Sequence, residues 1–427
     1  MMAVALAMLL VFMALAIPVA VSLGVLGLTL EQIFSPLPLI RAIGEVSWSA
    51  SNEFLLVSVP MFILLGEILL RSGFAERMYA ALINWVSWLP GGLMHSNIAA
   101  CAVFSATSGS SVATAATVGT VALPEARRFG YNERIFLGTL AAGGTLGILI
   151  PPSINMIIYA VLTNTSVPKL YLAGIVPGVA LVLLFMAGIL LLCLLRPAWG
   201  GTPVTSTWAA RIAGLVHLLP PLGIFLLVVG SIYAGVATPT EAASLGVIGA
   251  LGLAWWAGRL NIAMLKEAFE GTMKSTAMVM LIVVAAYFLN FVISTIGLTT
   301  QLTNFIENLG LPRAATLFAV ILFYVVLGCF METLSMMITT IPIIAPVMFK
   351  LGYDPVWFGI LVILLIETAL VTPPVGLNLF VVQNLRAGGS LNDVIFGTAP
   401  FVVVLFAMIF LLTLYPDIAL WLPRLLS

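Results

Sequence analysis

Long apolar runs, broken at intervals by Gly, Pro and small hydroxyl residues, set the pattern of this chain. A helix needs about 20 apolar residues to cross a bilayer. By that measure full crossings are predicted over 3–28, 53–72, 135–166, 170–195, 213–233, 240–257, 276–296, 356–381 and 394–416. Two apolar stretches, 93–126 and 314–349, break the pattern. Each is interrupted midway by small or polar residues and closed by a short polar loop, which predicts a re-entrant helical hairpin. A pair of ordinary spans is the competing reading. Residues 261–273 carry Lys266, Glu267 and Glu270 among apolar positions, and residues 33–49 carry Arg41 and Glu45. Both fit interfacial helices. The first run, 2–30, lacks a basic leader and is too long for a signal core, so it reads as a retained transmembrane helix.

The chain also resembles itself at long range. Pro124, Gly130 and Tyr131 correspond to Pro346, Gly352 and Tyr353 (346 − 124 = 222). At that offset Pro151-Pro152 falls on Pro373-Pro374 and Pro90 on Pro312, and one residue further Gly174 and Pro177 fall on Gly397 and Pro400. Five crossings plus a returning hairpin separate the loop at 127–134 from the loop at 350–355. Five is odd, so the two copies face opposite ways. Inverted repeats with discontinuous helices mark secondary transporters.

Basic residues set the orientation. With a cytoplasmic N-terminus, Arg71, Arg77, Arg127, Arg128, Arg134, Arg196, Arg211, Arg259, Lys266, Lys274 and Arg386 fall inside. Arg41, Lys169, Arg313, Lys350 and Arg424 fall outside. The reverse orientation would invert the bias. The C-terminus is then periplasmic.

Four interruptions pair across the repeat and carry the candidate chemistry. Residues 105–111 form the first hairpin tip and 150–155 break a crossing; residues 328–335 and 372–378 are their counterparts. Proline inside a helix removes a donor and frees a carbonyl. Freed backbone groups at membrane depth need a ligand, water or protein to satisfy them. Carbonyls and hydroxyls suit a cation, and half-helix N-termini suit an anion. One cation site is expected from Ser105, Ser108 and Gly109 with the carbonyls at Ile150 and Pro151. A second is expected from Gly328, Glu332, Thr333 and Thr372 with the carbonyls at Val371 and Thr372. Substrate contacts are expected from Thr107, Ser110, Ser153, Asn155, Ser335, Pro374 and Asn378. The competing reading makes the tips small-residue helix contacts and the proline pairs structural kinks. Glu332 and Glu367 lie in apolar sequence, where an ionisable residue is a functional candidate; structural pairing is the alternative for both. Glu67 reads as structural. Protons, carried by Glu332 or Glu367, compete with sodium as coupling ion.

Composition narrows the class. Hydrophobic residues are 62% of the 427 and charged residues 7%, against about 25% charged in soluble domains. Lys+Arg and Asp+Glu balance at 16 each, with no basic face for nucleic acid. Cys101, Cys193 and Cys329 have no metal-like spacing, and His95 and His217 stand apart. No P-loop supports an ATP motor, and no nucleophile–base constellation supports an enzyme. A transporter without a transition metal or organic cofactor is the reading left, with Na+ as coupling ion.

These residues resemble the large membrane subunit of tripartite ATP-independent periplasmic (TRAP) transporters. The resemblance runs from about Pro60 to Phe401, through Pro60-Met61-Phe62, Pro90-Gly91-Gly92, 105–120, 143–147, 150–154, 172–178, Thr238-Pro239-Thr240-Glu241-Ala242 and 372–378. It implies an all-α polytopic protein of the bacterial inner membrane, an elevator-type carrier with two re-entrant hairpins and two broken transmembrane helices. It implies sodium-driven import of a small organic acid: a C4-dicarboxylate, sialic or other sugar acid, or keto acid. It also implies two partners, a periplasmic solute-binding protein and a small four-helix membrane subunit on a separate chain. On this reading 1–92 are N-terminal scaffold helices and 93–178 the first transport repeat. Residues 179–312 are scaffold helices and an interfacial arm, 313–400 the second transport repeat, and 401–427 a C-terminal helix. The alternative within the fold is a stand-alone sodium/dicarboxylate symporter or anion exchanger.

Overall fold

The computed structural model describes residues 1–15, 17–202, 206–298, 300, 301, 304, 312–386 and 388–426, and these are helical with no strand. The first half runs α1 (Met2–Ala14), α2 (Val19–Phe34), α3 (Ile43–Ser51), α4 (Ser58–Arg71), α5 (Phe74–Val86), α6 (Gly92–Ser108), α7 (Ser111–Arg128), α8 (Glu133–Leu149), α9 (Ile154–Thr163) and α10 (Val167–Leu195). It continues through α11 (Trp208–Leu215), α12 (Leu219–Phe225), a π-helical turn at Leu226–Gly230, α13 (Ser231–Tyr233), α14 (Pro239–Trp256) and α15 (Ile262–Thr295). The remainder is α16 (Arg313–Gly328), α17 (Thr333–Lys350), α18 (Pro355–Val371), α19 (Leu377–Leu385), α20 (Leu391–Leu414) and α21 (Asp417–Leu426).

Local sequence explains where the central helices start. Asn132 begins α8 by accepting from the Ile135 N–H, and Asp354 begins α18 by accepting from the Val356 and Trp357 N–H groups. Such caps satisfy amides that have no partner inside a helix. The offset read in the sequence recurs in the element bounds. α7 and α17 begin at 111 and 333, and α8 and α18 at 133 and 355, each pair 222 apart and equal in length. The repeat-equivalent bonds Pro151-Pro152 and Pro373-Pro374 are both cis.

α8 and α18 form the centre. Every residue over 135–149 and 356–371 is buried. α8 packs on α6, α7, α18 and α20, and α18 on α16, α17 and α20. Outside them α15 packs along α2, α3 and α4, with α14 against α4. The two groups meet where α4 touches α6 and α15 touches α17. Among the described residues six helices are long and apolar enough to cross a membrane, seven if the α8–α9 pair, bent by 42°, is one span.

Several expectations change. The crossing at 3–28 is two helices, α1 and α2, divided before Pro18, which has no N–H to continue a helix; residue 16 lies outside the described residues. The interfacial segment 261–273 and the crossing 276–296 are one helix of 34 residues. Of its charges, Glu267 pairs at 3.3 Å with Arg71 of α4, which also pairs with Glu67, and the exposed Lys266 lies 3.9 Å from Glu270. The segment 33–49 is not one helix either, since α2 ends at Phe34 and α3 starts only at Ile43, past Pro36 and Pro38. The domain limits 178/179 and 400/401 fall inside α10 and α20. α5 and α21 are further helices that the apolar pattern does not mark.

Candidate functional site

The first hairpin tip is built against the first break. α6 ends at Ser108, and Gly109 turns the chain with φ 61°, a left-handed conformation that glycine adopts without strain. Ser110 then starts α7 by accepting from the Ala113 N–H. Gly109 lies against Pro152: a Cβ there would stand 2.7 Å from the Pro152 carbonyl oxygen. A Cβ on Gly147 would stand 2.6 Å from the Ser110 carbonyl oxygen, so α8 reaches the tip backbone only because residue 147 is glycine. Ser108 and Thr114 share a hydroxyl contact of 3.0 Å, and Thr114 donates to the Ser110 carbonyl at 2.7 Å. Ser105 is buried, and its hydroxyl has no partner among the described residues. The structure thus sets Gly109 against Pro152 of the break and Ser110 against Gly147 of α8, with Ser105 and Ser108 on the last turn of α6. Thr114, Gly147 and Gly66, which lies against the Ser108 carbonyl, belong to the same cluster and were missed. A hydroxyl four residues past the tip and glycines one helix away give no local signal.

The second tip differs. Glu332 caps α17: its carboxylate accepts from the Ser335 N–H at 3.0 Å, the Ser335 hydroxyl at 3.1 Å and the Thr333 hydroxyl at 2.8 Å. Gly328 touches Ala369, which seats the tip on the last turns of α18. Thr372 donates its hydroxyl to the Thr368 carbonyl at 2.7 Å. The oxygens on this side are therefore more engaged with one another than those at the first tip.

The expected substrate positions divide. Ser153 caps α9 and donates to the Ile148 carbonyl at 2.6 Å, and Thr107 donates to the Phe104 carbonyl at 2.8 Å. Ser335 is held by Glu332. Asn378 is spent inside the protein, its amide donating to Ser111 at 2.9 Å and to the Ala141 carbonyl at 3.1 Å. Asn155 is buried with its amide nitrogen unpartnered among the described residues, and Pro374 is exposed. A cavity of about 450 Å³ touches Ile150 and Pro151, but Ala102, Val103, Val179 and Leu222 make it apolar, which does not suit an anion. Glu67 is satisfied by Arg71, as its structural reading required.

Comparison with known proteins agrees with this architecture. Residues 6–418 match the family model for the DctM component of the tripartite ATP-independent periplasmic transporter. The chain is 33% identical to the C4-dicarboxylate TRAP transporter large permease protein DctM of Pseudomonas aeruginosa, over 94% of each chain. It is 32% identical to the ectoine/5-hydroxyectoine TRAP transporter large permease protein UehC of Ruegeria pomeroyi, over 86% of this chain and 85% of that one. It is 30% identical to the sialic acid TRAP transporter large permease protein SiaM of Vibrio cholerae, over 88% and 87%. The fold is similar to the Alcanivorax borkumensis YdaH transporter, with a TM-score of 0.65 at 17% identity, over 95% of this chain and 98% of that one. All the permeases named are transporters, not enzymes.

Proposed function

Since this chain belongs to the family of the DctM component of tripartite ATP-independent periplasmic transporters, we propose that it is the subunit through which a small organic solute enters the cell, driven by sodium. A periplasmic binding protein delivers the solute, and a small membrane subunit braces this one in the inner membrane. The N-terminus is cytoplasmic and the C-terminus periplasmic. Relatives named for C4-dicarboxylates, ectoines and sialic acid stand at nearly equal identity, so similarity alone selects none of them. A small organic acid remains the substrate class we favour.

The observation that carries sodium coupling is the first tip. A buried Ser105 hydroxyl without a partner among the described residues and the Ser108–Thr114 pair belong to the tip whose Gly109 lies against Pro152 of the break. Neutral oxygens in a fixed, dry cage hold a monovalent cation without burying an unmatched charge. Gly328, Glu332, Thr333, Val371 and Thr372 form the second cage, in which the Glu332 carboxylate must loosen from its cap to reach an ion.

Uptake by proteoliposomes holding both membrane subunits, with the binding protein outside, tests this. Ser108→Ala and Thr372→Ala should each raise the sodium concentration for half-maximal uptake roughly 5- to 30-fold, about 1–2 kcal/mol per lost ligand. Uptake driven equally by a pH gradient in sodium-free buffer, and unchanged in both variants, would exclude sodium coupling. Strong uptake without any binding protein would favour the stand-alone symporter.

A further inference from the structure

Glu367 is an intramembrane carboxylate that makes no ion pair among the described residues. It lies in α18, fully buried, and neither carboxylate oxygen has a hydrogen-bond partner among the described residues. Thr145 of α8 stands beside it. The Thr145 hydroxyl donates to the Ala142 carbonyl at 2.8 Å and so offers Glu367 only its lone pairs. The two positions are repeat-equivalent (367 − 145 = 222). Equivalent residues that face each other lie on the axis relating the two halves, so Glu367 sits at the centre of the repeat.

The other intramembrane carboxylates are accounted for. Glu31 of α2 accepts from the Ile40 N–H at 2.9 Å, Glu332 is spent on the cap of α17, and Glu67 pairs with Arg71. Charged groups on the helices packed around α18 are engaged or stand at helix ends. Glu133, Arg134 and Asp393 gather at Arg386, Arg313 bonds the Gly352 carbonyl, and Asp417 pairs with Arg424. Lys169 is in the first turn of α10, and Lys350 is the last residue of α17. The tyrosines are engaged too: Tyr324 contacts Thr340, and Tyr159 donates to the Pro355 carbonyl.

An unmatched carboxylate in such surroundings is strongly disfavoured. A metal ion would need several oxygens, and the carbonyls of α8 and α18 here are held in helix hydrogen bonds. A proton needs one acceptor, which the Thr145 hydroxyl supplies. A route for exchange is close. Pro373 and Pro374 are exposed, within two turns of Glu367, so a small opening of the break would wet the carboxyl group.

We propose that Glu367 is a proton-binding site, separate from the sodium cages, that loads and releases one proton in each transport cycle. The proposal rests on the chain acting as a carrier, and its test separates the two. Proteoliposomes holding the membrane subunits and the binding protein receive equal sodium on both sides and an inward proton gradient. Wild-type uptake should rise severalfold, with substrate-linked acidification of a lumenal pH dye. Glu367→Gln, isosteric and neutral, should lose both responses and keep its sodium half-saturation. Wild-type uptake indifferent to the pH gradient, or an undiminished response in Glu367→Gln, would overturn the site. Should Glu367→Gln fail to fold, the wild-type dye signal decides alone: acidification supports the site, and none overturns it. Sodium-independent uptake would count against the cages and not against Glu367.

Discussion

Asn378, expected from sequence as a substrate contact, has its amide engaged within the protein. It stands just inside α19, where a polar side chain after a Pro-Pro break suggests binding. Its amide is used instead to tie α19 to α7 and α8, in space left by Gly144. Asn378→Ala should therefore lower stability by about 1–3 kcal/mol, the cost of stranding buried polar partners. A fall in the thermal midpoint of the purified protein checks this; an unchanged midpoint with weaker substrate binding would return Asn378 to the substrate site. Glu332 poses the same question. As a cap alone, Glu332→Gln should be nearly silent and Glu332→Ala should cost about 1 kcal/mol. A large rise in sodium half-saturation in Glu332→Gln would make it an ion ligand. The sequence could mark these positions as polar and buried. It could not show that Asn378 meets Ser111, 267 residues away.

Among elements, helix breaks and tight turns are legible because their causes are local. The Pro-Pro pairs at 151 and 373, the glycine turn at 109 and the caps at Asn132 and Asp354 are such causes, although Pro220-Pro221 lies inside α12 without ending it. Continuity is harder to read. Lys266, Glu267 and Glu270 suggest a separate surface helix, and they are exposed, yet their segment runs unbroken into the apolar part of α15 beside Arg71 and Glu67 of α4. Gly271 leaves the room for the Glu67 carboxylate, 2.7 Å from where a Cβ would stand. Close helix crossings are equally invisible: a Cβ on Gly138 would overlap the Gly397 carbonyl, and one on Gly397 would overlap the Arg134 carbonyl. Backbone cannot yield as a flexible side chain does. Gly138→Val should thus cost at least the roughly 1–3 kcal/mol typical of overpacking, read as lost monodisperse protein after extraction. Gly252, with open space around it, is the control, and Gly252→Ala should extract normally.

At the scale of the whole molecule the inversion of the two halves makes the most exposed prediction. The repeat of element bounds 222 residues apart is compatible with either relative orientation, and topology has to decide. Between the loop after α7 and the loop after α17 lie the α8–α9 pair, α10, the α11–α13 run, α14, α15 and the second hairpin. The count is odd only if α14 crosses, and α14 is the weakest span, just 18 residues and outside the set long and apolar enough on its own. The charges argue that it does cross. Arg134 and Arg386, both assigned inside by the basic-residue bias, share Asp393 at 2.9 and 3.1 Å. The start of α8 and the end of α19 therefore lie on one face, as that assignment requires. Single cysteines at Arg128 and Lys350, both exposed, in a background lacking Cys101, Cys193 and Cys329, read the answer directly. An impermeant maleimide should label Lys350→Cys in intact, outer-membrane-permeabilised cells and Arg128→Cys only after the inner membrane is opened. Labelling of both from one side would place α14 in the interface and remove the inversion on which the paired ion cages depend.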